Sequence, residues 1–406
     1  MHILLAQFYS SQPTPDYDKF AAELRDRGHT VWVGTPNAAG DVVWRDGASV
    51  VATQPAAARA ALPRPIAGRL AKIDLFRRVR RFIRETRPDI VQVNAFDLFR
   101  FLPLAAPRPT HFILDVRQIN EQHGAGAFGR AKAALLNKAR VLYSRYIFGQ
   151  TTFLHAAGAR QVLGDNWARR ATVVPMGVDP EFLAAAREAP YDGATHRPVD
   201  FIYIGRLTRR RRLERILDAA VLVRRRSEHF RVIFMGYDAS NGYYAEQIDR
   251  LRLQDRVSIR PPIPYEEVPR AVLAHDVALA YVPEVPADWM YHPTLKILEY
   301  RALGMPVIAT DFLPNRELID EGVNGLLVEN TPESIAAAML RYIEDRDFLA
   351  RSRDAAAAMR QGLTWDAVAV QYEQLYQRLA GERRPDALSI PSAPAATAGR
   401  NQRGAA

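Results

Sequence analysis

The sequence predicts an α/β protein built from two doubly wound parallel sheets in tandem. Three observations predict it. Short apolar runs alternate with longer helical patterns along most of the chain, the series of runs restarts after Asp179, and 406 residues suit two or three domains better than one oversized sheet. In the first half the candidate strands are MHILLAQF, HTVWVGT, PDIVQVNA, HFILDVR, QTTFLHA and ATVVPMG, rich in β-branched or aromatic residues and bounded by Pro, Gly, Asp or Asn. The second set is DFIYIGR, RVIFMGY, RVSIRPP, VALAYVP, PVIATD and GLLVEN, with a helix expected from Leu213 to Arg225. Near the end, TWDAVAVQYEQLYQRL sets Val368, Tyr372, Leu375 and Leu379 on one face at steps of three and four, which marks a packing helix. The expected organisation is an N-terminal unit over 1–178, a C-terminal unit over 179–364, a packing helix over 365–380 and a disordered tail over 381–406, where large apolar residues are scarce.

Composition narrows the chemistry. With 48% hydrophobic and 25% charged residues the chain is ordinary globular protein, and the absence of cysteine excludes disulfides, thiolate metal sites and a cysteine nucleophile. No run of about 18 uncharged apolar residues occurs, so no spanning helix is expected. The opening MHILLAQFYS has neither a basic leader nor a small-residue cleavage site, so it reads as a strand and a cytoplasmic location is expected. The net charge of +10 is concentrated: 25 Lys and Arg face 13 Asp and Glu through residue 178, against 30 and 32 beyond it. Such asymmetry suits an anionic partner for the first half: a membrane surface, a phosphorylated substrate or nucleic acid. No nucleic-acid-binding motif is present, so nucleic acid is not an expected partner.

Within that basic half, Ile66, Leu70, Ile73, Phe76, Val79 and Ile83 form a helical stripe surrounded by Arg69, Lys72, Arg77, Arg78, Arg80, Arg81 and Arg84. Two readings stand side by side: an interfacial helix on an anionic membrane, giving a peripheral place on its inner face, or a stripe packed on the N-terminal sheet with solvated arginines. Arg130 to Tyr146 is a weaker version of the same pattern.

Strand-to-helix junctions of the second half meet at the carboxyl ends of one sheet, where open α/β folds bind ligands. Gly205 ends the first strand and Arg206 to Arg212 follow it; a glycine lets backbone approach a ligand, and arginines near a helix start can pair with phosphate. Met235-Gly236 ends the next strand, and Arg260-Pro261-Pro262-Ile263 offers a rigid edge. In Tyr291-His292-Pro293-Thr294-Leu295-Lys296-Ile297-Leu298-Glu299, Pro293 can open a helix whose first N–H groups, at Thr294 and Leu295, form an anion site. Lys296 and Glu299, three apart, share a face. Lys296 suits phosphate and Glu299 suits sugar hydroxyls; the alternative, an ordinary surface ion pair, fits less well with the helix-start proline and the following Gly-x-Pro-Val strand.

At these residues the chain resembles the retaining glycosyltransferases of family 4, which have the GT-B fold of two Rossmann-like domains facing a cleft. The resemblance runs through Arg87-Pro88-Asp89-Ile90-Val91, Val174 to Asp179, Gly205-Arg206-Leu207, Met235-Gly236, Glu266-Glu267-Val268-Pro269, Lys296 to Tyr300, Gly304 to Val307 and Gly322 to Val328. It implies that the N-terminal unit binds the acceptor and the C-terminal unit a UDP- or GDP-sugar. Arg206 and Arg211 would stabilise the departing diphosphate, Glu299 would hold the ribose, the N–H groups of Thr294 and Leu295 the phosphates, and Met235, Gly236, Pro262 and Ile263 would line the pocket. The chain departs from the family at three places. Arg211 stands where Lys is usual, Tyr291 stands where the first acidic residue of the Glu motif falls, and the loop from Phe8 to Pro15 lacks the usual glycines.

On the acceptor side Ser10, Ser11, Asp115 and Arg117 are candidates, Asp115 equally as a turn cap. No metal-ligand spacing of histidines is read from the sequence, so the expected chemistry uses no metal and no bound cofactor. The implied reaction is transfer of a sugar to a lipid-linked or cell-envelope glycan. The alternatives are an inactive nucleotide-sugar-binding relative and a GT-B epimerase.

Overall fold

The computed structural model describes residues 1–7, 15–37, 39–56, 64–94, 99, 101–105, 110–117, 131, 135, 138–139, 141–144, 146–169, 171–188, 197–284, 294–360 and 364–381. The Ser10, Ser11, Tyr291, His292 and Pro293 positions and the tail beyond residue 381 lie outside them.

The N-terminal sheet has eight strands in the order β4-β3-β2-β1-β5-β6-β7-β8. Its parallel part is β1 (His2–Ala6), β2 (Thr30–Pro36), β5 (Ile90–Val93), β6 (His111–Val116), β7 (Gln150–Phe153) and β8 (Ala171–Val173). These are the apolar runs read from the sequence; β1 is buried along Ile3 to Ala6 because helices cover both faces. An antiparallel hairpin, β3 (Val42–Asp46) and β4 (Ser49–Gln54), extends the β2 edge and was not among the expected strands. Its sequence signal is Asp46-Gly47, with Gly47 at φ +61°, between two β-branched runs.

The second sheet is wholly parallel, in the order β11-β10-β9-β12-β13-β14. It comprises β9 (Val199–Ile204), β10 (Phe230–Met235), β11 (Val257–Arg260), β12 (Val277–Ala280), β13 (Val307–Thr310) and β14 (Gly325–Val328). The chain winds outward from β9 to β11 and then returns to the other side of β9, so the strand order reverses between β9 and β12. Open α/β sheets bind ligands beyond the carboxyl ends of strands at such a reversal.

Helices α1 (Pro15–Asp26), α2 (Arg64–Thr86) and α3 (Ala156–Leu163) flank the first sheet. Around the second lie α4 (Pro180–Glu188), α5 (Glu214–Arg224), α6 (Tyr243–Arg250), α7 (Val268–Leu273), α8 (Leu295–Leu303), α9 (Pro332–Glu344) and α10 (Arg346–Ala358). The last helix, α11 (Trp365–Gly381), crosses back to the first unit, where Trp365, Val368, Tyr372, Leu375, Tyr376 and Leu379 pack with Ile3, Leu5, Tyr17 and Phe20. Its buried face is the one that the three- and four-residue spacing marks. The two crossings between units run side by side, Val178 bridging Thr364, and Gly177 lies so close to Trp365 that an added Cβ would stand 2.6 Å from its ring. Beside this hinge Glu317 reaches from the second unit to the start of α3, where it accepts a hydrogen bond from the Ala157 N–H at 3.1 Å.

The stripe on α2 divides. Val79 and Ile83 are buried against the first sheet and Phe76 packs beside them, as the packing reading expects. Leu70 and Ile73, nearer the start of the helix, are 41% and 48% exposed.

Candidate active site

Two glycines bring the carboxyl edge of the second sheet together. Gly205, after β9, has φ +144°, and Gly236, after β10, has φ +152°, both in the region that favours glycine. A Cβ on Gly236 would meet the Gly205 carbonyl oxygen at 2.1 Å, and one on Gly205 would meet Lys296 Cε at 2.7 Å and Nζ at 2.8 Å. Any side chain at Gly205 would therefore displace the Lys296 ammonium.

Lys296 lies in the first turn of α8. Thr294 is the N-cap of that helix, extended at φ −73° and ψ 146°, and no side chain caps the helix start. The first N–H groups of α8 thus face the crevice with the positive end of the helix dipole. The helix begins at Leu295, two residues later than an opening at Pro293 would give.

The Lys296 Nζ stands 5.3 Å from the centre of the Tyr203 ring and has neither an ion-pair nor a hydrogen-bond partner among the described residues. Burial, and then the nearby Arg211 charge, pull its pKa down to about 8 against a smaller opposing pull from Glu299. Two like charges thus lie near each other in a desolvated crevice. Arg211 is half-buried in the turn Arg209–Arg211, while Arg206 is exposed at the rim, its guanidinium 5.9 Å from the Tyr237 ring centre. Met235 is buried, Ile263 is half-buried and Pro262 is exposed at the neighbouring strand edge.

Glu299, one turn below Lys296, is 7% exposed, and its Oε1 accepts a hydrogen bond from the Tyr265 hydroxyl at 2.6 Å. Burial raises its pKa, and the Tyr265 hydrogen bond and the Lys296 and Lys19 charges oppose that rise. Lys19 comes from α1 of the first unit. Its ammonium lies 4.8 Å from the Tyr265 ring centre and pairs with Asp179 at the crossing between units. Lys19, Asp179, Tyr265 and Glu299 therefore form a polar chain across the cleft, and Lys19 and Tyr265 are absent from the residues that the sequence marks. Tyr265 directly precedes the Glu266-Glu267-Val268-Pro269 match, whereas nothing local distinguishes Lys19.

On the opposite wall, Asp115, the residue before the last of β6, is fully buried. Its carboxylate accepts from the Tyr17 hydroxyl, from Gln92 Nε2 at 3.2 Å, from Arg117 Nε at 2.7 Å and from Thr152 Oγ1 at 2.8 Å. Arg117 also stacks on Tyr17, 4.4 Å from the ring centre. Asp115 and Arg117 are thus brought together, and the carboxylate is engaged by four side chains of the protein itself.

A paired-unit fold with a cationic crevice at the strand reversal suits an anionic ligand. Residues 192–359, in the C-terminal unit, match the family described as glycosyl transferases group 1. Among curated relatives, the chain is 26% identical over 176 residues to the amylovoran biosynthesis glycosyltransferase AmsK of Erwinia amylovora, 43% of this chain and 42% of that one. It is 30% identical over 247 residues to the D-inositol 3-phosphate glycosyltransferase of Kineococcus radiotolerans, 55% of each chain. The chain matches about half the length of these relatives. Among solved structures, Anabaena Alr3699/HepE in complex with UDP superposes with a TM-score of 0.66 at 16% identity, over 93% of this chain and 100% of that one. Sucrose-phosphate synthase from Thermosynechococcus elongatus gives 0.66 at 16% identity over 93% and 98%. The fold is GT-B, two Rossmann-like domains.

Proposed function

We propose that the protein is a retaining family 4 glycosyltransferase that moves a sugar from a UDP- or GDP-sugar to a lipid-linked or envelope glycan. The observation that carries this reading is the desolvated Lys296 ammonium beside Arg211, over a glycine-lined strand edge and at an uncapped helix start. A diphosphate supplies charge complementary to both cations. Its oxygens accept from Lys296, Arg211 and the first N–H groups of α8, while Arg206 closes the rim. Glu299 takes the ribose hydroxyls, in exchange for the Tyr265 hydroxyl. As the anomeric C–O bond breaks, these fixed donors stabilise the charge growing on the leaving phosphate without reorganising. The acceptor oxygen attacks from the same face, and the leaving phosphate oxygen takes its proton, so configuration is retained. HepE's complexes with UDP and UDP-glucose favour a uridine donor. The names of AmsK and of the colanic acid glycosyltransferase WcaL favour an exopolysaccharide acceptor.

A thermal-shift series with UDP, GDP and their sugars tests the donor site, because a ligand bound only to the native state raises its melting temperature. The parent is expected to shift, and Glu299→Ala and Arg206→Ala to lose the shift. If both variants respond like the parent, the site is misplaced.

We infer further that the first unit docks on an anionic membrane through α2. Leu70 and Ile73 are exposed there together with Lys72, Arg77, Arg81 and Arg84, and Arg77, Arg80, Arg81, Arg84 and Glu85 line a groove of about 440 Å³. No helix among the described residues is long and apolar enough to cross a membrane. Sedimentation with liposomes is expected to capture the protein only when anionic lipid is present. Equally negligible capture with and without it eliminates this placement.

A further inference from the structure

Tyr203 is the residue before the last of β9, fully buried, and its hydroxyl has no hydrogen-bond partner among the described residues. Removing a hydroxyl from water without replacing its hydrogen bonds is costly, so such a group calls for a use. Its tyrosine neighbours differ. The Tyr244 hydroxyl donates to the Thr208 carbonyl at 2.8 Å and accepts from the Leu213 N–H at 3.2 Å, and the Tyr300 hydroxyl accepts from the Ile204 N–H at 3.4 Å. The Tyr203 hydroxyl instead lies 3.7 Å from the point over Gly205 where a Cβ would stand, and the Lys296 Nζ lies 2.8 Å from that same point. Two unused donors, one neutral and one cationic, therefore converge on one spot at the strand edge. Burial raises the Tyr203 pKa and so keeps the phenol protonated as a donor.

We propose that the Tyr203 hydroxyl is a donor-binding contact, giving a hydrogen bond to a phosphate oxygen of the nucleoside diphosphate held by Lys296. The assignment rests on the donor site proposed above. Only an acceptor can meet both groups, and a phosphate oxygen, with several lone pairs, accepts from an ammonium and a phenol at once. The ring itself stays beneath the ammonium as a cation–π face.

Tyr203→Phe keeps that ring and removes one oxygen. Calorimetric titration with UDP and GDP is expected to show about a tenfold weaker dissociation constant for whichever of them the parent binds, while the melting temperature of the unliganded variant stays level or rises, since a buried unsatisfied group is gone. Unchanged affinity overturns the role of Tyr203, whether or not the unliganded protein loses stability. A parent that binds neither nucleotide overturns the donor site itself, and this contact with it.

Discussion

The two walls of the cleft each bury a charge at the carboxyl edge of a sheet, and treat it in opposite ways. On the N-terminal wall Asp115 has four side-chain donors around it, including the Arg117 guanidinium. On the C-terminal wall Lys296 has an aromatic face beneath it and a like charge nearby. A charge satisfied from within the chain contributes to holding the fold. One left unsatisfied costs stability, and its position is explained by what it binds.

That contrast can be broken by substitution. The largest expected effect is on the N-terminal wall: Asp115→Ala takes the acceptor from four side-chain donors, one of them the Arg117 guanidinium, at a cost of about 3–5 kcal/mol. Its melting temperature should drop by on the order of 10 °C, with UDP affinity of the folded protein retained. If the variant is as stable as the parent, the network does not hold the wall together. Lys296→Met should do the reverse, raising the melting temperature of the unliganded protein while weakening UDP binding about 100-fold; calorimetry reads both. The smallest effect sharpens the same point through pH. With a folded pKa of about 8, the Lys296 ammonium is mostly present at pH 7 and mostly lost at pH 9, so UDP affinity should fall across that interval by up to about tenfold. In the unliganded protein the sign reverses. The unfolded chain holds this proton up to its ordinary pKa of 10.5, so between about 8 and 10.5 the Lys296 contribution to stability rises with pH. Lys296→Met should lack both slopes.

What was legible in the sequence follows how local each feature is. The strands of both sheets were visible because continuous Val, Ile, Leu and Phe runs reflect burial on both faces. The inward face of α11 was visible because Val368, Tyr372, Leu375 and Leu379 repeat at helical spacing. Gly205 and Gly236 could be marked as places of close approach, since a glycine at a strand end is itself the local signal. The β3–β4 hairpin carried its Asp46-Gly47 turn but little else, and Val50 and Val51 on β4 are exposed, so its pattern is unlike that of a core strand. Tyr203 reads as one more core aromatic, and only the approach of Lys296, 93 positions later, gives its hydroxyl a setting. Lys19 meets Tyr265 and Asp179 through folding alone, since no short-range pattern can encode a partner more than 150 residues away. The stripe on α2 is a mixed case: periodicity locates the apolar face but cannot say how far along it the sheet reaches.

Because α11 returns to the first unit, the chain passes between the units twice, and the Val178–Thr364 bridge and the Gly177–Trp365 contact bind the two passages to each other. A single tether would let one lobe swivel freely, whereas two tethers fastened together restrict that freedom. Severing the chain between residues 360 and 364 would release that restriction and uncover the Ile3, Leu5 and Phe20 surface at a stroke, which makes the lobes poor candidates for separate production.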